Sequence, residues 1–175
     1  MCYADLMGAK VAVPVEDYLR MTFDGPDREY VDGEIVERAV GDNPHSAMQA
    51  RLIEIFYELR KLHPLYARPE LRHRVRPTRY RIPDVAVFAG HPPAENVPSS
   101  PPYIAIAIVS PDDRHTDIMQ KLDEYRTWGV PHVWLVNPRL RKLTVCDSAG
   151  LRDVPAFPLP EYGLEIPASQ IFESL

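Results

Sequence analysis

From His45 to Leu62 the apolar positions Met48, Leu52, Ile55, Phe56, Leu59 and Leu62 recur at the spacing of one helix face, with Arg51, Glu54, Glu58 and Lys61 mostly off it. Ahead of this helix, VEDYLRM (Val15–Met21) predicts a short helix with acids at its positive N-terminal end. REYVDGEIVERAV follows, with Asp32-Gly33 between two β-prone runs. That dipeptide tolerates the positive φ angles of a type I′ turn, so a β-hairpin is predicted.

Beyond the long helix the period changes to two. LRHRVR (Leu71–Arg76) and YRIPDVAVF (Tyr80–Phe88) are predicted strands, the second growing more apolar toward the core. Gly90 to Pro102 carries five prolines and is predicted to be an exposed connection. Tyr103–Val109 is almost wholly apolar, as a strand buried on both faces would be. Ser110-Pro111-Asp112-Asp113 then has the pattern of a helix start, with Ser110 as N-cap, and the helix runs to Trp128 before Gly129-Val130-Pro131. His132–Asn137 and Lys142–Asp147 are two more strands, paired around Pro138; the tail from Phe157 is predicted as loop with a helical turn near Ser169. The simplest burial of this order is an α/β (α+β) fold: a mixed central β-sheet flanked by α-helices, in a single domain over 1–175.

Composition changes this picture little. With 45% apolar and 26% charged residues the chain is an ordinary globular one, and 175 residues bury a core without staples. Two cysteines, Cys2 and Cys146, make no disulfide framework, and no run approaches the length of a membrane span; a cytoplasmic setting is expected. The net charge of −5 argues against nucleic-acid binding by the whole surface but not by a local basic face. One such face is available: Arg72, Arg74 and Arg76 alternate along a strand, suited either to phosphate contacts or to a solvated sheet edge.

Asp84 is the chemically conspicuous residue, a lone acid among Ile82, Pro83, Val85 and Val87 that needs a cation, a basic partner or a solvated cleft. Lys121 lies beside the apolar face of its helix, free to snorkel, to pair with Asp117, or to aim at a phosphate. Glu34 after the hairpin turn and His45 at the helix start are unremarkable singly, yet both stand near element ends that could face one cleft. No phosphate-cradling glycine loop, zinc-spaced Cys/His set or nucleophile elbow is present in the sequence.

The blocks GEIVE, HSAMQARL, RIPDVAVF, PPYIAIAIVSPDDR, KLDEY and GVPHVWLVNP, in that order from about Tyr30 to Asn137, resemble the Uma-two family of restriction endonucleases; the later LEIPASQIF is similar too. The resemblance implies the PD-(D/E)XK nuclease fold and a DNA-directed hydrolase using magnesium or manganese. It implies Asp84 as a metal ligand, Lys121 as the lysine of the following helix, and Glu34 and His45 as further cleft residues, with Glu34 a possible second ligand. The family's second acid falls at position 107, which here is Ala107. An endonuclease impaired at one ligand is therefore the expected function, and a nuclease-fold protein that binds DNA or a protein partner without cutting is the alternative. A homodimer is expected by analogy with enzymes of this fold.

Overall fold

Asp32 and Gly33 turn the chain with φ of 48° and 99°, the two positive angles of the predicted hairpin, between β1 (Glu29–Val31) and β2 (Glu34–Val36). The computed structural model describes residues 12–173; Cys2 and the ends of the 1–175 chain lie outside them. A short helix α1 (Val15–Arg20) precedes the hairpin, and the 17-residue α2 (Asn43–Leu59) follows it, burying Met48, Leu52, Ile55 and Phe56 as the periodicity predicts.

The remaining strands divide between layers. β3 (Leu65–Pro69), β6 (Val85–Ala89), β7 (Ile104–Ile108), β8 (His132–Asn137), β9 (Lys142–Asp147) and β10 (Gly150–Val154) form a six-stranded sheet ordered β10-β9-β8-β7-β6-β3. Its only parallel pair is β7–β8, connected by the crossover helix α3 (His115–Trp128), so the sheet is mixed. β4 (His73–Arg76) and β5 (Arg79–Arg81) join the first hairpin in a second sheet, β2-β1-β5-β4. A small hairpin, β11 (Ala156–Leu159) with β12 (Leu164–Pro167), and a closing turn of helix, α4 (Ala168–Ile171), complete the chain.

Alternation along β7 explains how both sheet faces are covered. Ile104, Ile106 and Ile108 pack into the core under α2, whereas Ala105 and Ala107 turn to the side of α3, where Leu122 and Tyr125 approach the small side chains. Position 107 thus lies on the α3 side.

Four expectations change. The run YRIPDVAVF is two strands in two sheets, because Pro83 has no N–H for a ladder and the chain crosses between layers at Ile82–Asp84. The helix predicted from Ser110 begins at His115 instead: the Asp113 carboxylate accepts the Ser110 N–H (2.7 Å) and closes a separate turn. β3 was hidden in a segment rich in turn residues. The tail read as loop holds β11 and β12, whose buried Phe157, Leu159 and Ile166 are interrupted by prolines.

Candidate functional site

The β6–β7 register pairs Val85 with Ile106, so continuing it by one residue sets Asp84 opposite Ala107. The strand ends carry the sheet's local chemistry to one place. Asp84 is held by its backbone as well: its carbonyl accepts from Gln49 Nε2 of α2 (2.9 Å) and from the Glu70 N–H (3.2 Å). A cleft of about 40 Å³ opens here, lined among others by Arg38, His45, Asp84, Ala107, Asp113 and Lys121.

Within it both oxygens of the Asp84 carboxylate are engaged. Oδ1 lies 3.0 Å from Arg38 Nη2 and 3.3 Å from His45 Nε2, and Oδ2 accepts the Ile108 N–H at 2.7 Å. Burial alone would raise the Asp84 pKa; the hydrogen bond and charge of His45, the Arg38 charge and the Ile108 amide outweigh it and hold the pKa below the ordinary value. His45 responds reciprocally. Burial disfavours its cation, but Asp84 more than compensates and its pKa is raised. The imidazole is buried in place because the N-cap Asp42 accepts the His45 N–H (3.1 Å) at the start of α2.

Lys121 lines the same cleft, and its partner is Glu29 rather than Asp117: Nζ lies 3.3 Å from Glu29 Oε2. Glu29 is wholly buried at the head of β1, where Oε2 also takes Arg81 Nη1 (2.7 Å) and Oε1 takes the Ile82 N–H (3.1 Å). One carboxylate therefore ties Lys121 to the backbone two residues before Asp84. Asp113 supplies a second acid in the cleft; burial raises its pKa, the negative charge of Asp84 adds to this, and the Ser110 N–H and Lys121 oppose it.

Sequence reasoning placed Asp84, Lys121 and His45 together, and the fold does so. Glu34 is elsewhere: it sits exposed beside the Asp32-Gly33 turn, paired across the hairpin with Val31, and does not line the cleft. The basic row is likewise split. Arg74 and Arg76 are exposed on β4, but Arg72 precedes the strand, stacks on the Tyr18 ring and binds Asp27 through Nε (3.0 Å) and Nη2 (2.5 Å). Arg76 stands at the β4–β5 turn, at the end of β5 opposite to the one that leads to Asp84. Arg38, Glu29 and Asp113 were missed. A buried arginine after a hairpin carries no sequence mark that separates it from a surface one, and Asp113 looked like a helix cap.

Residues 15–169 match the family model Uma2, described as "Putative restriction endonuclease". The chain belongs to the Uma2 family. Its fold is also that of a solved structure, a putative nuclease belonging to DUF820 from Anabaena variabilis ATCC 29413, with a TM-score of 0.76 and 22% identity, over 90% of this chain and 96% of that one. No curated protein sequence matches the chain. A nuclease-like function and a restriction-endonuclease-like fold follow for this Uma2 member.

Nucleases of this kind usually work with a divalent metal ion, and the donors here do not fit one. Among the described residues no group of three or more His, Cys, Asp or Glu side chains is placed to hold a metal. Asp84 has three of its roughly four acceptor positions filled, two of them by side chains that carry or can carry positive charge. Magnesium needs near-octahedral oxygen donors, and opposite Asp84 stands a methyl group.

Proposed function

We propose that this Uma2 protein binds the phosphodiester backbone of DNA at the Asp84 cleft and hydrolyses it poorly or not at all. The observation that carries the reading is the pairing of Asp84, its oxygens occupied, with Ala107 across the strand. A second carboxylate at 107 would point to the α3 side and into the cleft, where the alanine methyl now lies. Metal-borne charge stabilisation contributes several kcal/mol to such hydrolyses, so a cleft unable to hold the ion loses roughly several decades of rate. What persists is suited to binding. The Lys121 ammonium, on the cleft and a quarter exposed, offers N–H donors to a phosphate oxygen, and Arg74 and Arg76 add exposed cations on β4. With DNA as partner, a homodimer would bring two clefts to the two strands.

Two measurements test this. Plasmid nicking in Mg²⁺ or Mn²⁺ should be undetectable for the chain and measurable, in Mn²⁺ at least, for Ala107→Glu. Fluorescence anisotropy with a labelled duplex in EDTA should show saturable binding that weakens with salt and drops about three-fold or more in Lys121→Ala. Nicking by the unaltered chain that Asp84→Ala abolishes would overturn the hydrolytic half. Absence of DNA binding at low salt would overturn the other half.

A further inference from the structure

The mismatch between this cleft and a divalent ion has a specific cause. The Arg38 side chain is only 7% exposed, and its Nη2 faces Asp84 Oδ1 at 3.0 Å while Nη1 lies 3.4 Å from Glu70. It enters the cleft from the segment between β2 and α2 and meets Asp84 there. Burial disfavours a charged guanidinium, yet the charges of Asp84 and Glu70 outweigh this. Charge matching supplies the rest. An acid at 107 would give the strand pair two carboxylates to match a divalent cation; with Ala107 there Asp84 is that pair's one carboxylate and faces one guanidinium, while Asp113, the cleft's other acid, is bound to the Ser110 N–H.

We infer that Arg38 is the resident cation of the Asp84 cleft: its guanidinium takes the place facing Asp84 that a divalent ion would need, so that the cleft engages phosphate without metal. Arg38 also lines the larger hollow, about 510 Å³, that adjoins the cleft and shares Lys121 with it. Arg38 and Lys121 thus put two cations on the wall of one hollow, where a phosphate could be met. Loss of the acid at 107 and the presence of Arg38 are then one compensated change. Restoring the acid alone leaves Arg38 in competition with any metal, with a further carboxylate beside Asp84 and Glu70 to hold it. The inference rests on the cleft being the working site of the preceding proposal, but the test needs no DNA.

Free Mn²⁺ is followed by electron paramagnetic resonance as protein is titrated in, using the full chain, Ala107→Glu, and Ala107→Glu combined with Arg38→Met or with Arg38→Gln. The unaltered chain should bind no more tightly than Asp84→Asn. Ala107→Glu should bind weakly, and both double variants about ten-fold or more tighter than it. Circular dichroism melts show which variants fold, and Arg38→Gln, which keeps a hydrogen-bond donor toward Asp84, carries the comparison if Arg38→Met does not. In the unaltered chain the Ile108 amide, bonded to Asp84 Oδ2, gives a second readout by NMR: millimolar Mg²⁺ should leave its resonance in place. Equal Mn²⁺ affinity in Ala107→Glu and the folded double variants would overturn the inference. So would a saturable, Mg²⁺-dependent shift of Ile108. If DNA binding in EDTA fails while the double variants gain Mn²⁺ affinity, the role of Arg38 stands and the DNA reading falls.

Discussion

Two histidines show how far one residue type can be driven in opposite directions. His73 is wholly buried, stacked on Phe88 with centroids 5.8 Å apart and edge-on to Trp128 at 5.9 Å. Its Nδ1–H donates to the Leu71 carbonyl at 2.7 Å, while Nε2 has no hydrogen-bond partner among the described residues. Burial pushes its pKa down to about 4, with the Leu71 bond opposing only in part. Between about 4 and the ordinary 6.5 the unfolded chain therefore binds a proton that the native one does not. Stability from this group is present in full above pH 6.5 and is lost as pH falls toward 4, about 3 kcal/mol across the window. His45 has the opposite sign: its pKa is raised, so its pairing with Asp84 stabilises below pH 6.5 and is lost as pH rises through the folded value. Urea unfolding at pH 7 and pH 5 should show a loss on acidification that His73→Phe removes; an unchanged slope in that variant would assign the acid lability to other groups. The sequence displayed Asp84, since a lone acid in an apolar strand must have a partner. It could not display which partner, because nothing local distinguishes Arg38 from the protein's many surface arginines.

Among the elements, α2 was the most legible and its first turn the most consequential. Its apolar stripe predicts the buried face, and the structure buries Met48, Leu52, Ile55 and Phe56 and half-buries Leu59, whereas the last predicted position, Leu62, lies beyond the helix end and is exposed. The Asp42 cap adds something periodicity does not contain: one Asp42 oxygen accepts the His45 amide, and the other pairs with Arg139 from the loop after β8. Helix start and cleft are thereby set by the same side chain. Asp42→Ala should cost about 1 kcal/mol in urea unfolding, whereas Asp42→Asn, which keeps the acceptor, should lose only a fraction of that. The two variants should differ in the same sense at the His45 ring, whose NMR titration should move toward 6.5 in the alanine variant as the ring loosens from Asp84. Matching titrations in both would mean that His45 is held by packing alone. The less legible elements share a reason. β11 is interrupted by Pro158 and β12 ends on Pro167, and the turn before α3 uses the residues of a capping box for another purpose, so local rules pointed one way and tertiary context another.

At the scale of the molecule, the four-stranded sheet meets α3 along a buried line of charge that no sequence window contains. Glu29 on β1 and Glu124 on α3 face Arg81 on β5, which reaches Glu29 through Nη1 (2.7 Å) and Glu124 through Nε (2.6 Å) and Nη2 (3.0 Å). Arg79 adds a 2.6 Å contact to Glu124 and a further one to Asp32 in the hairpin turn, and Lys121 closes the set on Glu29. The Glu29 and Glu124 carboxylates are buried, so each is tolerable only while paired. Arg81→Met should therefore cost about 3–5 kcal/mol, because it strands charge instead of merely removing an attraction. Lys61→Met, which removes an exposed pair with Glu58, should leave stability nearly unchanged. Urea unfolding at pH 7 compares the two directly. The same network sets Asp84, three residues beyond Arg81, and holds Lys121 through Glu29, so the Arg81 variant should also lose Lys121-dependent DNA binding at temperatures where it is still folded. A small loss for Arg81→Met, comparable to that for Lys61→Met, would mean that the hydrophobic contacts between the layers suffice and that the charges set the position of the cleft without holding the four-stranded sheet to α3.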